Sequence, residues 1–261
     1  MKKLFLLSAA VLFFAAVSQA KDDCIVKLAN GTEQKCDDIT ASPNGDLAVR
    51  SDKFTSKIKK KDYVYACIPM PSDVKNAFSK LKAKNYAEAM RLAEQAHAKY
   101  KLLGWDLACL SIMAEAQKGL GKSEDALKTL QPSATYELVN PEEGKYLERC
   151  LKVTSEIYFD LKKYAECNAA LAKIAYSDSP EIAGYALNKE GDVFYQQGVK
   201  DKAIIKYLQT VLIIKEAKEE RAEALLKVAN TLKEQNDNRA AKFAAMLKAD
   251  YPNSPYISQL K

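Results

Sequence analysis

Tyr185 to Lys215 reads YALNKEGDVFYQQGVKDKAIIKYLQTVLIIK. Two helical patterns meet at a tight turn on Gly198. Leu187, Gly191 and Phe194 share one face before the turn, and Ala203, Tyr207 and Val211 share one after it. The small residues Gly191 and Ala203 stand where two antiparallel helices come closest. The stretch therefore reads as a helical hairpin, and the rest of the chain is organised by its recurrence.

Taking Ala203 as the register mark, the equivalent positions are Ala89, Ala126, Cys167 and Ala241, spaced 37, 41, 36 and 38 residues apart along the chain. Twelve residues earlier stand Ala77, Ala114, Ser155, Gly191 and Ala229, all small. Four residues further back are Asp73, Leu110, Leu151, Leu187 and Leu225. Small residues on both helices permit close crossing, and leucine fills the layer beside them. The helix boundaries agree. Asn140-Pro141-Glu142-Glu143 supplies a cap, a first-turn proline and two acids, and Ser179-Pro180-Glu181 repeats the device. Pro132 to Asn140 reads as a longer connection.

This layout resembles the tetratricopeptide repeat (TPR) family, most closely where Gly191 and Phe194 precede Ala203 and Tyr207, and where Tyr86 and Tyr164 open second helices. The resemblance covers about Ser72 to Lys261 as five helix pairs, and five motifs in register are specific where one is not. The early tryptophan of the family is missing, since Trp105 lies between repeats. The expected fold class is mainly α: a solenoid of about five TPR-like helix pairs over 71–261, preceded by a small antiparallel β module over 21–70. The resemblance implies that side chains on the first helix of each pair, facing the inside of the superhelix, contact a protein or peptide. The matching positions include Lys152, Glu156, Asn188, Asp192, Tyr195, Asn230 and Lys233. Asn188, Asp192 and Tyr195 fall at i, i+4 and i+7. They are expected to be free for contacts while Leu187, Gly191 and Phe194 take the packed face.

Residues 1–20 read as a signal peptide. Lys2 and Lys3 precede a 14-residue apolar run, Leu4 to Val17, shorter than the roughly 20 residues a spanning helix needs. Ser18-Gln19-Ala20 ends it with small residues, so cleavage is expected after Ala20. Cys24 lies too far from that site for lipidation. The expectation is an exported, soluble periplasmic chain that is not a lipoprotein and has no transmembrane segment once the leader is removed.

Asn30-Gly31 and Asn44-Gly45 are turn dipeptides. With the β-forming runs Cys24 to Leu28, Asp46 to Arg50 and Tyr63 to Ile68, they predict four or five antiparallel strands, with an SH3-like barrel as one arrangement. Pro69 and Pro71 close the module. So small a core is marginal alone and needs docking or a staple. Cys24, Cys36 and Cys67 are the disulfide candidates, at most one bridge among them. A plain two-residue turn puts Cys24 and Cys36 on opposite faces, and a bulge puts them on one. Cys36 with Cys67 is the competing pair. Cys109, Cys150 and Cys167 fall in helices and are expected to stay reduced.

The whole chain carries 40 Lys and Arg against 34 Asp and Glu. Without Lys2 and Lys3 the net charge is +4, too mild to argue for nucleic acid. The densest basic cluster is Lys57, Lys59, Lys60 and Lys61. No metal-ligand motif is visible, and the lone His97 reads as packing or solvated. Gly119-Leu120-Gly121-Lys122-Ser123 imitates a phosphate loop, but Ala116 stands where its first glycine belongs. No cofactor is expected. The function expected is an exported non-enzymatic scaffold or adaptor that binds an envelope protein or peptide through the concave face of the stack. The alternative is an envelope structural protein whose β module binds an envelope polymer or anionic surface.

Overall fold

The computed structural model describes residues 24–52 and 54–261. The leader read over 1–20, with its cleavage site, lies outside the described residues. Six strands come first: β1 (Cys24–Leu28), β2 (Glu33–Cys36), β3 (Asp38–Ala41), β4 (Leu47–Ser51), β5 (Phe54–Ile58) and β6 (Tyr63–Cys67). They form two antiparallel three-stranded sheets, ordered β2-β1-β6 and β3-β4-β5. The sequence reading of four or five strands is thus too few. The strands outside the named β-forming runs, β2, β3 and β5, are sheet edges that carry only Cys36 and Ile39 as buried side chains between them. Pairing with β1 and β4 makes them strands, not a hydrophobic alternation of their own.

Both hairpins use the same three-residue loop. Leu28 N–H bonds the Thr32 carbonyl and Gly31 N–H the Leu28 carbonyl, and Ser42, Asp46 and Gly45 repeat this. Gly31 and Gly45 sit at φ +87° and +88°, the left-handed residue that closes such a loop with a bulge. The odd loop length sets Cys24 directly opposite Cys36, and both side chains are buried.

The β core of Val26, Ile39, Leu47, Val49, Tyr63 and Ala66 is completed by Leu103, 2% exposed, which comes from the helical part. Trp105 Nε1 donates to the Ile68 carbonyl at 3.1 Å, and its ring meets Tyr146 at 5.6 Å. The module is therefore docked on the stack.

Ten helices come next among the described residues: α1 (Ser72–Lys82), α2 (Tyr86–Tyr100), α3 (Asp106–Gly119), α4 (Ser123–Ala134), α5 (Gly144–Asp160), α6 (Tyr164–Leu171), α7 (Pro180–Gln196), α8 (Lys200–Ile213), α9 (Lys218–Glu234) and α10 (Ala240–Asp250). They pair in order as five hairpins, each packing on the next. Helix α4 runs two residues past Pro132, so the connection to α5 starts later than the sequence suggested. Asn140 and Ser179 cap as expected, accepting from the backbone N–H of Glu142 and Ile182.

Every within-pair turn ends on one left-handed residue two positions past the first helix. These are Lys84, Gly121, Lys162, Gly198 and Asn236, with φ between +56° and +77°. Their spacing along the chain reproduces the repeat register, and such a residue ends a helix by letting the chain turn back. The register mark itself is buried at Ala89, Ala126, Cys167 and Ala203, each 0% exposed. Ala241 breaks the pattern and is exposed. The other second helices begin two residues after the left-handed position. Helix α10 begins four after Asn236, because Asp237 accepts from Arg239 N–H and extends the turn. Two residues of delay rotate a helix by about 200°, which carries Ala241 to solvent and gives the core position to Leu247.

Candidate functional site

The first helices of pairs two to five, α3, α5, α7 and α9, pack side by side. Their facing side chains form a ladder. Arg149 on α5 reaches Glu115 on α3 at 2.5 Å, and Lys118 on α3 reaches Glu156 on α5 at 2.7 Å. Lys152 stands 4.5 Å over the Tyr185 ring of α7, whose hydroxyl lies 3.1 Å from Ser155 Oγ. Asn188 Nδ2 donates to the Glu220 carbonyl at 2.8 Å and to Glu223 at 3.3 Å on α9. Asp192 takes Lys227 at 2.8 Å and accepts the Tyr207 hydroxyl at 2.9 Å. Tyr195 donates to Glu234 at 2.8 Å.

The trio Asn188, Asp192 and Tyr195 is therefore not free for contacts, as its spacing suggested. Asn188 is 2% exposed, and all three bond to α9 or α8. Leu187 and Phe194 are only half-buried, while Ala186 and Val193 are fully buried. The reason is geometric: α7 contacts α5, α6, α8 and α9, so it buries a stripe wider than one i, i+4, i+7 row. Periodicity separates inside from outside on an amphipathic helix, not the neighbour in the stack from the open groove.

The two ends of the face differ. At α3, α5 and α7 a groove of about 490 Å³ is lined by Glu115, Arg149, Lys152, Val153, Glu156 and Ile182 among others. At α7 and α9 a second pocket of about 340 Å³ is lined by Phe159, Asp192, Tyr195, Lys227, Asn230 and Glu234 with Lys261. There Asn230 and Lys233 hold the chain's own residues 259–261.

Electrostatics follow from the contacts. Burial opposes charge on Lys227, yet Asp192 and Glu223 outweigh it and hold the ammonium above its ordinary range. Hydrogen bonds from Lys261, Lys200 and Tyr195 bring the Glu234 carboxyl down to about 2. Burial pushes the Tyr185 and Tyr207 phenols up. Lys227 and Glu234 were missed as site residues. They lie 35 and 39 residues beyond Asp192 and Tyr195, which they engage, and so fall off the strict repeat register that picked out Asn230 and Lys233.

Elsewhere, His97 Nε2 lies 2.6 Å from Asp106 Oδ1. Glu143, 4% exposed, accepts the Tyr136 hydroxyl at 2.7 Å beside Asn140. Among the described residues no group of His, Cys, Asp and Glu is arranged to hold a metal. Nor, among them, is any helix long and apolar enough to cross a membrane.

No family model and no curated protein sequence matches the chain. Solved structures do. The crystal structure of MamA is similar over 70% of this chain and 100% of its own, at 17% identity and a TM-score of 0.51. A Rap protein complexed with Competence and Sporulation Factor is similar over 72% of this chain and 56% of its own, at 15% identity and a TM-score of 0.54. Both are TPR-type structures, and the helical part of this chain has that fold.

Proposed function

We propose that this chain is an exported, non-enzymatic scaffold that binds a protein or peptide partner of the cell envelope along the inner face of its helix stack. The observation that carries the reading is the groove across α3, α5 and α7, where Lys152, Glu156 and Arg149 stand beside the apolar Val153 and Ile182. Such a surface offers a backbone hydrogen-bonding groups and an apolar side chain a seat. The Rap protein of similar fold is complexed with Competence and Sporulation Factor, which supports a binding role for this architecture. Export rests on the leader read over 1–20 and on cysteines placed in a small strand module.

A second reading is favoured by the exposure of Lys57, Lys59, Lys60 and Lys61 on β5 and the strap to β6. In it, the β module meets an anionic envelope polymer or surface.

Affinity capture from an envelope fraction separates the two. Lys152→Glu removes a cation–π contact worth about 0.5–1 kcal/mol, so the stack survives. It is expected to lower partner capture about tenfold, or about 1.4 kcal/mol. Unchanged capture by a folded Lys152→Glu chain, lost instead on reversing Lys59 and Lys61, would refute the groove and favour the β module.

A further inference from the structure

Beyond α10 the chain turns back onto α9. A short 3-10 turn, Pro255–Gln259, is capped by Ser254. Tyr256, Ile257 and Leu260 pack against the core of the last two pairs. The last three residues are held as a bound ligand is held, rather than as a helix end is. Asn230 Nδ2 donates to the Gln259 carbonyl at 3.0 Å, and Asn230 Oδ1 accepts the Lys261 N–H at 3.0 Å. One side-chain amide thus holds the backbone on both sides of Leu260, which is extended at φ −65° and ψ 128°.

Leu260 lines a pocket of about 350 Å³ with Ala229, Ala240 and Ala244. The Lys261 ammonium reaches Glu234, and Lys233 donates to the Lys261 carbonyl. Glu234 is itself positioned by Tyr195 at 2.8 Å and Lys200 at 3.0 Å.

The division of labour is that of a peptide site. Asn230 and Lys233 bond only backbone atoms, so they accept any sequence. Selectivity resides in two places, an alanine-lined seat for an apolar side chain and a carboxylate for a cation. The clasp of Asn230 and Lys233 is exposed, and exposed polar bonds contribute little net stability. The segment is therefore held in place yet easily exchanged.

We propose that Gln259–Lys261 is an internal ligand of α9, and that a partner segment of the same chemistry displaces it: an extended stretch with an apolar residue followed by a lysine. This rests on the reading of the inner face as a binding face, and adds the class of segment it takes and the self-contact that must open first.

The test needs no partner. A labelled, amidated peptide of the sequence PNSPYISQLK is titrated, by fluorescence anisotropy, against the full chain and against Leu260→Asp/Lys261→Glu. The double substitution sets carboxylates against the alanine seat and Glu234, emptying the site while leaving Tyr256 and Ile257 packed. Saturable binding to the substituted chain is expected, at least tenfold tighter than to the unmodified chain. Adding Asn230→Ala to the double variant should weaken it at least tenfold again. If the double variant loses its helical circular dichroism, Lys261→Glu alone is used. A folded, emptied chain that fails to bind the peptide overturns the proposal, as does binding insensitive to Asn230. Self-association of the unmodified chain that the double substitution abolishes also overturns it, because the occupant is then a second copy. Failure here leaves the Lys152→Glu capture result standing, and failure of that capture leaves this titration standing.

Discussion

Gly191→Ala is the substitution on which two general rules disagree. In a helix interior, alanine is favoured over glycine by about 1 kcal/mol. Gly191 lies within α7, so propensity alone predicts a stabilised chain. The surroundings predict the reverse. A Cβ built at Gly191 would stand 2.3, 2.6 and 2.9 Å from three atoms of the Tyr207 ring. Tyr207 is 2% exposed, so the ring has no open space to enter. Its hydroxyl donates to Asp192 at 2.9 Å, and Asp192 also takes Lys227. Forcing the ring aside costs about 1–3 kcal/mol in overpacking, and breaking its bond to a charged group about 1.5–3 kcal/mol. Less the propensity gain, the net is a loss of about 1.5–5 kcal/mol. For a chain of this size that lowers the melting temperature on the order of 3–20 °C. The control is the same substitution in a Tyr207→Leu chain. Without the ring the clash is gone, and Gly191→Ala should become neutral or stabilising by up to about 1 kcal/mol. Thermal melts of all four chains by circular dichroism give the full cycle. A higher melting temperature for Gly191→Ala alone, or the same loss in both backgrounds, would refute the reasoning and with it the close crossing of α7 and α8.

Three further outcomes are expected. Lys84→Gly relieves a left-handed side chain at φ +58°; removing that strain, about 1–2 kcal/mol, exceeds the added unfolded-chain entropy, so the urea midpoint should rise by about 0.5–1 kcal/mol of stability. The Glu143 carboxyl is pushed above its ordinary value of 4.5 by burial, which exceeds the opposing effect of the Tyr136 bond. Its stabilising contribution is complete below 4.5 and declines as pH rises through the higher folded value, so Glu143→Gln should gain on the unmodified chain in urea midpoint from pH 4 to pH 8. Cys109 and Cys150 are pushed up to about 12 and Cys167 to about 11 by burial. Native alkylation at pH 8 should therefore spare all three, while non-reducing peptide mapping of the chain produced under oxidising conditions should link Cys24 to Cys36, which stand opposite on paired strands within bridging range.

Local chemistry decided much of this molecule. Small residues at a fixed offset, Ala77, Ala114, Ser155, Gly191 and Ala229, specify close-crossing helix pairs wherever they sit, so the five pairs and their register were legible in the chain. Caps at Asn140 and Ser179 and the left-handed glycines 31 and 45 are likewise short-range, because each side chain acts on backbone within a few residues. The features that depended on tertiary structure are of a different kind. The edge strands β2, β3 and β5 carry little signal of their own and exist because β1 and β4 offer unpaired backbone. The Ala241 slot was lost to a two-residue delay that only the Asp237–Arg239 turn produces. Asn188 looked open because a helical period reports angles around one axis, and nothing in it says that α9 covers that angle. The same holds for Asn230 and Lys233. Their residue types suit an extended chain, but that residues 259–261 fill the place follows from where α10 sends the chain, a direction set by the packing of the last pair.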